Sequence, residues 1–416
     1  MDKLTQSLIA AMAEMPVIDA HEHLPTEEAV VAAPADVFTR IFCHYSLGMA
    51  EAAGLPNARP RMRHTAVPLA ERWRLFRPYL DAVRHTGYAQ AGLITARDLY
   101  GVEDVNDDTY ELLSERLVEK NKPGLYDWVL KETCRIEHIL NQGLTASAWA
   151  EPRGGYAVSV DRSFLALASL SAGKMRKLHD TWAEKHGGPF ADADEWIAFW
   201  LDDLVESGAV GLKFGANLPV ECIEADAANA LYRKLTAGEL SDEESGQLGA
   251  YLMHRAIAGA GPRGLPCAFH CGLQAGAWAD FRATHPLRLI PLFRAYRETT
   301  FDLYHGGIPW VSEIVVAANQ FPNVCLNLCW CHQISPWMTG RMMNECLDLV
   351  PATKVIGFGG DNVMGPEKTY GVLVMARENM ARALAARIRR GQIGESAALD
   401  VARLWLYDNP KRIYRL

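Results

Sequence analysis

The sequence holds no apolar run near the roughly 20 residues that cross a bilayer. Its first residues, Met1-Asp2-Lys3-Leu4-Thr5-Gln6, bring charge at once, where a secretory leader would carry an apolar stretch of about 7–15 residues. These absences argue against a helical membrane span and an export leader, so the cytoplasm is the expected compartment. Basic clusters are missing as well. Lys and Arg number 42 against 50 Asp and Glu, for a net charge of −8, and neither nucleic acid nor an anionic membrane is an expected partner. Nor is there an internal repeat or a low-complexity tract. The nine cysteines are an odd number in a large chain, which suits reduced thiols better than a disulfide framework.

What is present is an ordinary globular composition, 49% apolar and 22% charged over 416 residues. A β-like run at 15–21 follows a first helical stretch. Residues 26–130 then read as helical and irregular, with Pro34, Pro56, Pro60 and Pro68 as breakers. Beyond that, short apolar runs recur at 136–140, 156–160, 210–214, 265–270, 301–305, 324–330 and 354–358, mostly separated by helical stretches. Alternating strands and helices imply parallel βαβ units, and eight strands are enough to close a barrel. A doubly wound open sheet also suits alternation, but no Gly-rich phosphate loop follows the first strand. The expected architecture is a (β/α)8 barrel of the TIM type, a single domain over 1–416 with a helical insertion at 26–130. Leu373, Ala376, Met380, Leu384 and Ile388 keep helical spacing up to Gly391, and Pro309 and Pro322 bracket a further helix.

The chemistry lies at strand ends. The first strand closes on His21-Glu22-His23, whose imidazoles share one side of an extended chain. Alone this is weak, because 13 histidines in 416 residues yield about 0.4 such pairs by chance. Three more strands also end in ligand-type residues, at His270, His305 and Asp361. That is the end at which barrel enzymes place their catalytic groups. His21, His23, His270 and Asp361 are therefore expected to hold a divalent metal, zinc first, as one ion or two. A metal there would leave a position for water and lower its pKa. Asp361 would take and pass the proton, while His305 would polarise a substrate oxygen or ligate a second ion. Lys213 ends the fourth strand. A lysine directed into a barrel is costly unless matched, so it reads equally as an ion-pair member, a contact to a substrate anion or, carbamylated, a bridge between metals. Trp310, Trp330, His332 and Asn362 are expected to line the substrate pocket, with Cys329 packing. Cys329, Cys331 and His332 are an alternative second metal site. Arg84, Arg97 and Arg297 are candidates for holding an acidic substrate, and the remaining histidines, His44 among them, read as surface or core residues.

These residues resemble the amidohydrolase superfamily, and within it the amidohydrolase-2 group that includes the amidohydrolase-like half of FluG proteins. The family pattern is His-x-His after strand one, Lys after four, His after five and six, and Asp after eight. Here it is met by His21, His23, Lys213, His270, His305 and Asp361. The segments His305-Gly306-Gly307-Ile308-Pro309-Trp310 and Asp408-Asn409-Pro410-Lys411-Arg412-Ile413-Tyr414 are similar to the family's as well. The resemblance implies a metal-dependent hydrolase acting on an amide, lactone or similar bond of a small, carboxylated or neutral substrate. A decarboxylase or a uronate-type isomerase is the alternative, and a barrel that merely binds ligand is a third. The partner is then a small molecule, with a homo-oligomer allowed rather than required.

Overall fold

The computed structural model describes residues 1–142, 156–215, 219–276 and 278–416. Eight strands are present: β1 (Val17–Glu22), β2 (Ile136–Asn141), β3 (Ala157–Asp161), β4 (Gly211–Phe214), β5 (Cys267–His270), β6 (Phe301–Tyr304), β7 (Val324–Asn327) and β8 (Val355–Ile356). They follow one another in the sheet from β1 to β8, and the pairings β1–β2 and β3 through β7 are parallel. The fold is a (β/α)8 barrel with a helical insertion after its first strand. β1 and β4 are buried at every residue, as a sheet covered on both faces requires.

By its contacts the chain forms two compact units, each assembled from three segments. The first holds Met1–Asn141, Leu273–Asp280 and Asn327–Pro410; the second holds Gln142–Gly272, Phe281–Leu326 and Lys411–Leu416.

Within the first unit, the segment between β1 and β2 carries the helices Glu27–Ala32, Tyr45–Ala52, Ala58–Arg63, Leu69–Val83, Gly87–Tyr100 and Tyr110–Lys120. They share a core of their own, in which Phe38, Phe42 and Phe76 meet and Trp73 stacks on Tyr110 at 4.5 Å. Asp36 opens this core by capping the turn after it and pairing with Arg72 at 2.7 Å. Pro34, Pro56 and Pro68 fall between helices, as their missing N–H predicts. Pro60 does not. It sits in the first turn of Ala58–Arg63, where the N–H has no helical partner to lose.

The helix Glu367–Arg389 ends just before Gly391, which adopts a left-handed φ of 67°. In the second unit Val311–Gln320 lies between Pro309 and Pro322 as expected. β7 is shorter than the apolar run 324–330 predicts. It stops at Asn327, because Trp330 takes a left-handed φ of 65° and opens the short helix Cys331–Ile334.

Candidate metal centre

In the first unit the segment after β8 runs against β1 at close range. A Cβ on Gly359 would lie 2.5 Å from Cys329 Cβ and 3.0 Å from His21 N, so no other residue fits there. The Asp361 amide donates to His21 O at 2.8 Å and the His23 amide to Asn362 O at 3.0 Å, which brings the two ends level. Asp361 itself holds a left-handed φ of 55°, a strained conformation of the kind that gathers at functional sites. It aims Oδ1 at both imidazoles, 3.3 Å from His21 Nε2 and 3.4 Å from His23 Nε2. The possible ligand atoms of His21, His23 and Asp361 all lie within 4.8 Å of one another. Two imidazole nitrogens and a carboxylate oxygen gathered at one point are a donor set that fits a divalent ion.

Beneath this group lie two buried acids. Glu22 accepts from the Asn362 amide at 2.5 Å, from Thr369 Oγ1 at 2.8 Å and from Asn362 Nδ2 at 3.2 Å. Asp19 accepts from the Gly360 amide at 3.0 Å and the His21 amide at 3.2 Å. Burial drives both carboxyls up, Asp19 to about 7, and the neighbouring Asp19 charge raises Glu22 further. Asn362, expected to face substrate, thus gives its side-chain amide to Glu22 and Thr369.

A residue not anticipated from the sequence completes the group. Tyr45, in the insertion, donates its hydroxyl to Asp361 Oδ2 at 3.2 Å across 316 positions of chain. Burial, and then the Asp361 charge, hold this phenol well above its ordinary pKa, so it stays protonated and donates. Its ring packs against Trp330 at 4.7 Å and Tyr88 at 5.0 Å. His44 precedes it at a φ of 49° and ψ of −103°, and burial pushes its imidazole down to about 4. Nothing in the helical pattern around position 45 marks it; only the fold does. Tyr45, Tyr88 and Trp330 form one wall of a cavity of about 680 Å³ that Leu273, Trp278 and Arg59 also line. Arg59 Nε donates to His44 O at 3.3 Å. Arg84 and Arg97, by contrast, are tied to surface aspartates, Asp104 and Asp98.

His332 is fully buried, with Nε2 on Gly357 O at 2.9 Å and Nδ1 near Asn379 Nδ2 at 3.3 Å. It does not line the cavity. Cys329 and Cys331 are packed in the core, and among the described residues they gather no metal-holding group.

The second unit carries the other expected residues. His270 and His305, at the ends of the paired strands β5 and β6, lie with ring centroids 4.3 Å apart, and His305 adopts a left-handed φ of 66°. Lys213 is buried on β4, with Nζ 3.8 Å above the centre of the Tyr304 ring, a cation–π contact. The Tyr304 hydroxyl lies 3.0 Å from that of Tyr414, which donates to Asp302 Oδ2 at 2.6 Å. Cys271 is buried, and its thiol is pushed up to about 12. Trp310 packs on His285 at 4.5 Å.

A family model for amidohydrolases matches residues 18–416, from β1 through the closing segment. The chain belongs to the amidohydrolase family. Protein fluG of Emericella nidulans is 23% identical over 428 residues, covering 96% of this chain and 46% of that protein. The chain thus spans about half the length of this curated relative. Among solved structures, a uronate isomerase from Thermotoga maritima superposes with a TM-score of 0.75 at 15% identity, covering 100% of this chain and 98% of the other. A glucuronate isomerase from Caulobacter crescentus gives 0.76 at 16%, covering 99% and 94%. A uronate isomerase from Bacillus halodurans gives 0.70 at 14%, covering 99% and 96%. At such identities these likenesses establish the fold alone. No helix among the described residues is long and apolar enough to cross a membrane.

Proposed function

We propose that this amidohydrolase is a metal-dependent hydrolase that cleaves an amide, lactone or similar bond of a small molecule. The observation that carries the reading is Asp361, with one oxygen on the two imidazoles and the other held by Tyr45. His21, His23 and Asp361 would hold the ion, zinc first, and the ion would supply Lewis acidity and an activated water. Asp361 takes a proton at Oδ1 and returns it to the leaving group. Tyr45 fixes the carboxylate through Oδ2 and keeps that oxygen from turning away. In the second unit, His270 is proposed as a further ligand, His305 as the acid that meets a substrate oxygen, and Lys213 as a contact to a substrate anion. Lys213 over an aromatic ring suits a charged ammonium.

The test is turnover. Metal-loaded and chelator-stripped protein are compared on amides, lactones and esters, with bound metal quantified by mass spectrometry. Absence of metal-dependent turnover on all three sinks the reading. A second reading, aldose–ketose isomerisation of a uronic acid, is favoured by the same Tyr45–Asp361 contact. Such a reaction needs two proton-carrying groups side by side, and three structures of similar fold carry uronate or glucuronate isomerase in their names. Conversion of D-glucuronate without bond cleavage would select it.

A further inference from the structure

The cavity beside the metal donors has a lining that the proposed chemistry leaves unused. It encloses about 680 Å³, within the usual range for small-molecule sites. One wall is made of three rings in contact: Tyr45 with Trp330 at 4.7 Å, Tyr45 with Tyr88 at 5.0 Å, and Tyr88 with Trp330 at 6.3 Å. Met49, Leu273 and Ile334 pack around them, so that wall is apolar. It also adjoins the metal donors. The Tyr45 hydroxyl is on Asp361 Oδ2, and the Trp330 amide donates to Gly359 O at 2.9 Å.

Two features of the cavity point to a ligand. Tyr88 is 6% exposed and lines it, and among the described residues its hydroxyl makes no hydrogen bond. An unpaired phenol in so dry a place is costly, and a bound molecule would supply the missing partner. Trp278, on the segment Leu273–Asp280, lines the same cavity, yet it is fully exposed and holds a left-handed φ of 67°. A bulky residue rarely adopts that conformation, and an indole left in water beside an apolar wall gains most by stacking on a bound ring. Charge is not what the cavity offers. Arg59 spends Nε on His44 O, its Nη1 lies 4.0 Å from Glu51 Oε2, and Glu51 Oε1 accepts from the Arg59 amide at 3.2 Å. An acid and a base of the same lining offset each other, which leaves shape and rings to select.

We propose that this cavity holds an aromatic ring of the substrate, seated against Tyr45 and Trp330 and covered by Trp278, with Tyr88 bonded to a polar group on the ring. The proposal rests on the reading of the centre as a metal-dependent hydrolase and narrows it to aryl amides and esters. It also parts that reading from the isomerase, since a sugar acid carries hydroxyls and a carboxylate for which an apolar wall has no partners.

Binding is read by calorimetry on the metal-loaded protein, with methyl ketones as probes because they have no bond to hydrolyse. Acetophenone should bind more tightly than cyclohexyl methyl ketone, and at least one of the three hydroxyacetophenones more tightly still. Trp278→Ala should weaken acetophenone about threefold to tenfold, the loss of one stacked ring. Because Trp278 is exposed, that variant should melt with the parent protein when no ligand is present. Tyr88→Phe should erase the advantage of the hydroxylated ring and leave acetophenone affinity as it was. Equal affinities for the aryl and cyclohexyl ketones overturn the proposal, as does acetophenone binding unchanged in Trp278→Ala. D-glucuronate binding that Trp278→Ala weakens would overturn it too, by giving the cavity to a sugar acid. Aryl binding that depends on Trp278, without metal-dependent turnover of phenyl esters or anilides, would sink the hydrolase and leave the ring site standing. Metal-dependent turnover with no preference for aryl substrates would do the reverse.

Discussion

In the first unit the expected donors are held by acids and by backbone. Glu22 receives three hydrogen bonds, Asp19 two, and the chain after β8 is pinned to β1 through main-chain amides. In the second unit the expected residues are held by rings and hydroxyls. Lys213 rests on Tyr304, Tyr304 meets Tyr414, and Tyr414 reaches Asp302. The first arrangement fixes a carboxylate in a strained backbone conformation, while the second matches one buried lysine to an aromatic face and one buried acid to a phenol. Activity should therefore be most sensitive at the first, while the Tyr414–Asp302 contact of the second should bear mainly on stability.

The sharpest way to break this contrast is Asp361→Asn. It keeps the shape and removes the charge, and kcat/KM should fall on the order of 10³-fold, about 4 kcal/mol, with the fold intact by circular dichroism. A loss below tenfold would remove Asp361 from the chemistry. Acid sensitivity is the next largest effect. His332 is neutral when folded, with a pKa near 4 against 6.5 ordinarily. The unfolded chain therefore takes up a proton first. Stability from this residue is complete above pH 6.5 and lost as pH falls from 6.5 to 4, on the order of 3 kcal/mol. The drop in melting temperature across that window should shrink in His332→Gln, and an equal drop in both proteins would refute it.

Tyr414→Phe probes the other cluster. It leaves the fully buried Asp302 without its 2.6 Å donor and should cost about 2 kcal/mol in urea unfolding, with kcat/KM within about threefold of the parent. Tyr45→Phe is the mirror case and the smallest effect. It should lower kcat about tenfold and shift the melting temperature little, because only the hydroxyl on Asp361 is lost. If Tyr414→Phe removed the activity and Tyr45→Phe only the stability, the contrast would be inverted.

The strand ends were open to reading from residue types alone, because a barrel repeats one local pattern and each ligand-type residue closes an apolar run. His21, His23 and Asp361 are brought together as that pattern anticipates. Tyr45 was not open to it. It opens a helix, where a lone Tyr is unremarkable, and it gains meaning only from burial and from a partner far along the chain. The place of His332 was not legible either. Its nearness to β7 suggested the pocket, and the structure sets its ring on Gly357 O beyond the turn at Trp330.

The interleaving of segments also bears on inheritance. His21 and His23 come from the first segment of the first unit and Asp361 from its last, and 131 residues of the second unit, 142–272, run between the first two. A single crossover between homologous chains anywhere between positions 23 and 361 takes the imidazoles from one parent and the carboxylate from the other, so the centre survives recombination only if its two halves fit across parents.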